Sequence, residues 1–148
     1  RVRSEYEIMN ISEDIVTKVF SDIDFEEILD YLIQEIKAKN YLITRVSNID
    51  NIHDRPILKS SSSLKFKYYK IVEFCNLESC SQLISSNLLA GVFMPVRFIV
   101  YQPLGKKQIF ISFLSPISFA RLFNSKEMMF IAKNIENDMH DVLEEIDF

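Results

Sequence analysis

The residues best suited to chemistry in this 148-residue sequence are two cysteines, Cys75 and Cys80, with four residues between them. This spacing differs from the C-x-x-C of redox sites and zinc knuckles. The histidines, His53 and His140, do not complete a ligand pattern with these cysteines, so the sequence predicts no metal site. Two states of the cysteines stay open. They are free thiols that pack as small hydrophobic residues, or a disulfide that joins a strand end to the first turn of a helix.

A reactive thiol is a further alternative for this pair. Cys75 precedes Asn76, a residue type that caps helices. A thiolate at a helix N-terminus is stabilised by the helix dipole. This gives one function hypothesis, a thiol-dependent sulfur-transfer or redox accessory protein that acts through Cys75 or Cys80. Neither cysteine has a histidine or lysine directly beside it in sequence, so we predict no catalytic residues and favour a protein that is not an enzyme.

Five residues in the second half of the chain form a candidate ligand-binding set. Met94 is a soft ligand for haem iron or copper, although a methionine in a core or interface is the alternative. Arg97 and Tyr101 fall on one face of a predicted strand. If that face is covered, the guanidinium needs a carboxylate, a partner chain or an anionic ligand; otherwise Arg97 is a surface residue. The set is Met94, Pro95, Arg97, Tyr101 and Arg121.

The turn at residues 91–95 is the first candidate for a functional loop. Gly91 permits backbone conformations closed to other residues, and Pro95 cannot donate a backbone hydrogen bond. These properties predict a shaped, stiff turn. A plain connection between a helix and a strand needs the same residue types and is the alternative.

The charge distribution excludes one class of partner. The net charge is −4 and the pI is about 5.2, which is not the electrostatic footprint of a nucleic-acid-binding protein. No acidic residue occurs between Glu78 and Glu127, where five basic residues lie. Either the basic strands and acidic helices neutralise one another, or the basic stretch meets an anionic ligand or a lipid headgroup.

The hydrophobic periodicity predicts the strands and helices that position these candidate residues. We predict an α+β fold in β-α-β-β-α-β-β-α order, with an antiparallel-rich sheet and helices on one face. The domain covers residues 15–148, and residues 1–14 form an N-terminal extension. The predicted strands are residues 15–20, 41–46, 65–74, 96–102 and 108–114. The predicted helices begin at Asp24, Asn76 and Asn124, with Leu77 facing inward and Asn40 ending the first.

Apolar residues occupy both faces of several predicted strands. Phe66 and Tyr68 are expected on one face, with Tyr69 and Ile71 on the other. One layer of helices cannot cover both faces, which predicts a homodimer packed through the outer face of the sheet. Arg97 and Tyr101 are expected near the centre or rim of that contact. The alternative is that the extension folds back over the same face.

Several ordered motifs resemble the domain-of-unknown-function family numbered 302. The resemblance covers about residues 15–146. Its pieces are Phe74-Cys75-Asn76-Leu77 before a helix, the stretch LLAGVFMPVRFIVY at residues 88–101, Phe25-Glu26-Glu27, Asn40-Tyr41-Leu42-Ile43, and Ser115-Pro116 through Arg121-Leu122-Phe123-Asn124.

The resemblance implies a compact α+β fold, frequent homodimers and no agreed enzymatic activity. Many bacterial members resemble exported proteins, so we expect a periplasmic or exported protein, and otherwise a cytoplasmic one. The sequence given begins with Arg1, which fits removal of a preceding segment.

The favoured function hypothesis is therefore a non-enzymatic binding domain. Twelve phenylalanines, six tyrosines and five methionines, together with the acid-free stretch, suit a small apolar or tetrapyrrole-like anionic ligand. Haem is the cofactor this hypothesis allows, and a homodimer is the expected assembly.

Overall fold

Six strands form one antiparallel sheet in the computed structural model, which describes residues 3–7, 13–55 and 64–146. The strands are β1 (Arg3–Glu7), β2 (Ile15–Ser21), β3 (Leu42–Asn48), β4 (Phe66–Cys75), β5 (Val96–Pro103) and β6 (Ile109–Leu114). Their spatial order is β1-β2-β6-β5-β4-β3. The hairpin of β5 and β6 therefore lies at the centre of the sheet, as the two longest apolar alternations predict.

Four helices cover one side of this sheet, which we call the inner face. They are α1 (Phe25–Ala38), α2 (Leu77–Ser86), α3 (Pro116–Ala120) and α4 (Lys126–Glu145). Leu32 of α1, Leu83 of α2 and Phe119 of α3 join Phe98 and Ile111 of the sheet in one buried core. The α+β class, the element order and the single helical layer are confirmed. Short 3₁₀ turns occur at Ile49–Asp54, Leu88–Phe93 and Arg121–Phe123.

Helix ends follow the predicted residue types with two corrections. Asn76 caps α2 by accepting a hydrogen bond from the Ser79 amide at 3.1 Å, and Asn40 follows α1 with a left-handed φ of 66°. Asn124 was expected to cap α4, but its φ of 50° makes it a left-handed stop, and Ser125 caps the helix instead. Leu77 was expected to face inward and is 71% exposed, because it lies in the first turn of α2.

A bulge in β4 corrects the expected face of Phe66. The register shifts between Phe66 and Tyr68, so Phe66 pairs with Pro103 while Tyr68 pairs with Gln102. The two aromatic residues consequently lie on opposite faces. Lys70 interrupts the apolar inner face of β4, and its Nζ donates to Asp50 Oδ1 at 2.8 Å, which satisfies the nearly buried ammonium group.

The predicted extension contributes an edge strand. Residues 3–7 pair with β2 in register from Arg3 opposite Ser21 to Glu7 opposite Thr17. This described part of the extension widens the sheet and does not fold over its outer face. Lys18 of β2 is buried, donates to the Leu143 carbonyl at 2.9 Å, and lies over the Tyr6 ring, which ties the edge to α4.

Candidate binding face

The outer face of the sheet, opposite the four helices, carries a row of aromatic rings across β4, β5 and β6. The centroid of Tyr101 lies 5.5 Å from that of Tyr69 and 5.3 Å from that of Phe110. Phe66 continues the row at 5.6 Å from Tyr69, because the bulge turns it outward. We call these four residues the aromatic ladder. His53 meets its Phe66 end at 5.4 Å.

Three rings of the ladder, Tyr69, Tyr101 and Phe110, face one another and present their edges outward, whereas Phe66 is tilted by 60° to Tyr69. Tyr69 and Tyr101 are 20° from parallel, and Tyr101 and Phe110 are 12° from parallel. Side chains on neighbouring strands stand roughly perpendicular to the sheet, so stacked rings use their faces on each other. The exposed surface of the ladder is thus a row of ring edges, and not a flat platform.

Aliphatic and small polar residues extend this face. Ile71 is opposite Ile99 across β4 and β5, and both are half-buried beside the ladder. Thr17 and Ser112 are buried opposite each other on β2 and β6, where their hydroxyl oxygens hydrogen-bond at 2.7 Å. A sheet with one solvated face normally alternates apolar and polar residues. The central strands here are apolar on both faces, as expected from the sequence.

Charged residues border the face where β5 begins. Arg97 Nη2 lies 4.0 Å from Glu73 Oε2 and donates to the Pro95 carbonyl at 3.4 Å. Glu73 is also opposite Arg45 in the register of β3 and β4. The half-exposed guanidinium of Arg97 therefore has a carboxylate partner within the chain, one of the outcomes expected for it.

Met94 and Pro95 lie between the 3₁₀ turn at Leu88–Phe93 and β5. Met94 is half-buried and packs against the core, which gives no support to a role as a soft metal ligand. The expectation about Gly91 is wrong, because its φ is outside the left-handed region and an added Cβ would meet no atom within 4 Å. Its backbone does not require glycine. The turn between β5 and β6 does use a left-handed glycine, Gly105, with φ of 78°.

Arg121 lies apart from the other four candidate residues. It occupies the 3₁₀ turn after α3, where its Nη1 is 3.8 Å from Asp14 Oδ1. The structure thus places Arg97 and Tyr101 on one face of β5, Met94 and Pro95 just before that strand, and Arg121 at another element. Within residues 3–7, 13–55 and 64–146, none of the five lines the cleft beside the start of α1 or the cleft between α2 and Glu127.

The two cysteines form a contact that sequence spacing left open. Cys75 is the last residue of β4, Cys80 lies in the first turns of α2, and both are free thiols that hydrogen-bond to each other. Tyr41 and Asp138 lie near this pair, and Tyr41 Oη donates to Asp138 Oδ2 at 2.7 Å. Sequence reasoning missed these two residues because only the fold brings β3 and α4 to the thiols.

Burial opposes ionisation of Cys80 and Tyr41. Desolvation, with the hydrogen bond that the Cys80 thiol donates to Cys75, raises the pKa of Cys80 to about 12. Desolvation and the Asp138 carboxylate likewise raise the pKa of Tyr41 above its usual range. Cys80 is therefore a protonated thiol at neutral pH, which is the opposite of an activated nucleophile.

A cleft of about 670 Å³ lies beside the start of α1. It is lined by Lys67 and Lys107, by apolar and aromatic groups, and by the carboxylates of the preceding turn and first helical turn: Asp22, Asp24, Glu26 and Glu27. Phe25 and Tyr68 stack at 4.7 Å. The opposing charges of this cleft select neither an anion nor a cation.

Within the described parts of the chain, no three histidine, cysteine, aspartate or glutamate side chains are grouped to hold a metal ion. Among the helices that the structure describes, none combines the length and the apolar character needed to cross a bilayer.

Comparison with known proteins identifies the family and the fold. The family model described as Domain of unknown function DUF302 matches residues 16–146. The crystal structure of an uncharacterized conserved DUF302 protein from Bacillus stearothermophilus is similar, with a TM-score of 0.75 and 21% sequence identity. The match covers 92% of this chain and 100% of that chain. No curated protein matches the chain.

Proposed function

Because the chain belongs to the DUF302 family, whose model matches nearly its whole length, we propose from its surface that it is a non-enzymatic binding domain acting as a homodimer. The observation that carries the proposal is the aromatic ladder on the outer face of the sheet, opposite the four α-helices, where its rings are only partly buried. Contiguous apolar patches on a folded domain mark contact surfaces.

The geometry of the ladder favours a second protein surface over a flat ligand. The rings of Tyr69, Tyr101 and Phe110 stack on one another, so a planar molecule that approaches these three rings meets mainly their edges. A second sheet packs on such a face at about 10 Å with interdigitating side chains. An identical face related by a two-fold axis is the commonest way to close such a surface.

The ligand predicted from the composition is the less supported half of this proposal. A small apolar or tetrapyrrole-like anionic molecule, haem included, stays a prediction, as does export to the periplasm. A Soret band after expression with haem supply, or a co-purified mass, is the measurement for the ligand.

The thiol-dependent alternative receives less support. Sulfur transfer needs a thiolate, and the pKa of Cys80 is raised to about 12. Cys75 is buried at the end of β4.

Light scattering during gel filtration tests the dimer. We expect the wild-type chain at micromolar concentration to have twice its 17.4 kDa mass. Ile99→Arg places a charge beside the ladder, and we expect it to give a folded monomer. Phe130→Arg is the matched control, because Phe130 is 67% exposed on α4 and lies away from the outer face.

A disulfide cross-link tests the same dimer contact if Ile99→Arg fails to fold. Ile99→Cys near the two-fold axis should give a disulfide-linked dimer on mild oxidation, and the wild-type chain should not. A monomeric wild-type mass, or a dimer unaffected by charge at Ile99, contradicts the proposed interface.

A further inference from the structure

The N-terminal cap of α2 brings Cys75 and Cys80 together. Asn76 is the N-cap: its side chain accepts from the Ser79 amide at 3.1 Å, and its carbonyl accepts from the Cys80 amide at 2.9 Å. Cys75 therefore directly precedes the cap, and Cys80 is the fourth helical residue. Side chains at these two positions pack against each other in the hydrophobic staple, which fixes how the chain enters a helix. Both staple residues here are cysteines.

The two thiols differ in their access to solvent. Cys75 is buried at the end of β4, opposite Leu42 of the border strand β3, whereas Cys80 is partly exposed on α2. The Cys80 thiol donates a hydrogen bond to Cys75, so the two sulfur atoms are already in contact in the reduced chain. A reagent that arrives from solvent therefore meets Cys80 first, with Cys75 directly behind it.

We propose that Cys75 and Cys80 are a reversible oxidation site, at which a small-molecule disulfide converts the thiol staple into an intramolecular disulfide that joins β4 to α2. Cys80 Sγ loses its proton to solvent and attacks one sulfur of the reagent, and the other half of the reagent leaves as a thiolate. Cys75 Sγ, deprotonated in turn, attacks Cys80 Sγ and releases the second half. The two cysteines lose two electrons and two protons, and the reagent is reduced to two thiols.

This role differs from sulfur transfer because it depends on an equilibrium and not on a fast thiolate. Burial keeps Cys80 protonated, so the exchange is slow at neutral pH. The helix cap nevertheless holds the two sulfur atoms together before oxidation, which raises their effective concentration above that in the unfolded chain. Because folding and oxidation share one thermodynamic cycle, a disulfide that forms more favourably in the folded chain also stabilises the fold, by the same factor.

Equilibration of the full chain with mixtures of reduced and oxidised glutathione tests the proposal. Acid quenching and mass spectrometry measure the fraction of chains that has lost two hydrogen atoms. We expect this intramolecular disulfide to exceed the mixed disulfides, with an equilibrium constant at least roughly tenfold larger in the folded chain than in guanidinium. The approach to equilibrium should quicken about tenfold per pH unit above neutral pH, as the thiolate fraction rises.

The thermal stability and two single variants complete the test. The oxidised wild-type chain should melt roughly 5 °C higher than the reduced chain. Cys75→Ala should show no such shift and should retain a glutathione mixed disulfide on Cys80, because the thiol that would displace it is missing. Cys80→Ala is the matched control and should stay largely unmodified while folded, because Cys75 is buried.

Three results would overturn the proposal. The first is a folded chain that keeps both thiols, or carries only mixed disulfides, at glutathione ratios that oxidise the unfolded chain. The second is an equal equilibrium constant in the folded and unfolded chains. The third is a wild-type disulfide that links two chains, which would assign the cysteines to a contact between copies. Ile99→Arg on the outer face tests the proposed dimer separately, so the two proposals can fail independently.

Discussion

At the scale of single residues, Cys80 is held in its protonated form. Its thiol is partly buried and hydrogen-bonds to Cys75, and both effects raise its pKa, to about 12. Since the thiolate is the reacting species, this rise leaves Cys80 with much less thiolate at neutral pH than an ordinary cysteine has.

We therefore expect iodoacetamide at neutral pH to label both cysteines far more slowly in the folded chain than after unfolding in guanidinium. Labelling of Cys80 should become faster in Cys75→Ala, which removes the hydrogen-bonding thiol. Mass spectrometry of timed samples measures both rates. Labelling of Cys80 in the native chain at the unfolded rate contradicts the protonated state.

Single residues of the outer face and of the thiol cluster differ in how far the sequence predicts their positions. Tyr69, Ile71, Ile99, Tyr101 and Phe110 were predictable as an apolar outer face because a strand alternates with period two. A bulge breaks that period. Phe66 consequently joined the ladder without any local signal in the sequence. Tyr41 and Asp138, which are 97 positions apart, meet only through tertiary packing.

At the scale of elements, two N-caps of similar residue type differ in their bonding. The Asn76 side chain accepts from Ser79, whereas the Asp24 side chain makes no cap hydrogen bond to α1. Both were predicted from residue type, and the sequence does not reveal which side chain turns towards the helix.

We predict that Asn76→Ala lowers the free energy of unfolding by about 1 kcal/mol, the usual value of a cap hydrogen bond. Asp24→Ala should cost less, because only the attraction of its carboxylate to the helix dipole is lost. Urea unfolding measures both. High salt should diminish the Asp24 effect and leave the Asn76 effect, since a screened charge interaction and a hydrogen bond respond differently to ions. Equal, salt-insensitive losses for both variants contradict this assignment.

At the scale of the whole molecule, one core between the sheet and the helices holds the fold. Leu32 is fully buried in that core, whereas Lys67 is exposed on β4 with its ammonium over the Tyr68 ring. We expect Leu32→Ala to lower the free energy of unfolding by about 2–5 kcal/mol, through lost burial and a residual cavity. Lys67→Ala should cost less than about 1 kcal/mol. Urea unfolding of the two variants measures the difference, and equal midpoints would contradict the face assignment of α1.

The fold class was predictable at this scale because the two periodicities, 2.0 for strands and 3.6 for helices, survive in almost every element. The strand order was not predictable, since the pairing of β2 with β6 joins residues that are 89 to 99 positions apart. Nor does the sequence predict that the N-terminal extension contributes a strand to the sheet. Its residues 3–7 enter the sheet by pairing with β2, outside the residues that the family model matches.

The two borders of the sheet limit how copies of this chain can associate. One border is β1, where Arg3 and Glu5 are exposed, and the other is β3, where the register shifts between Ile43 and Arg45. Charged and irregular borders resist the addition of a further strand. Growth by border-to-border pairing, the route to open filaments, is therefore disfavoured. A two-fold contact through the outer face uses that face once on each chain, so such an assembly stops at two chains. Raising the protein concentration should therefore increase the fraction of chains in dimers without producing fibres.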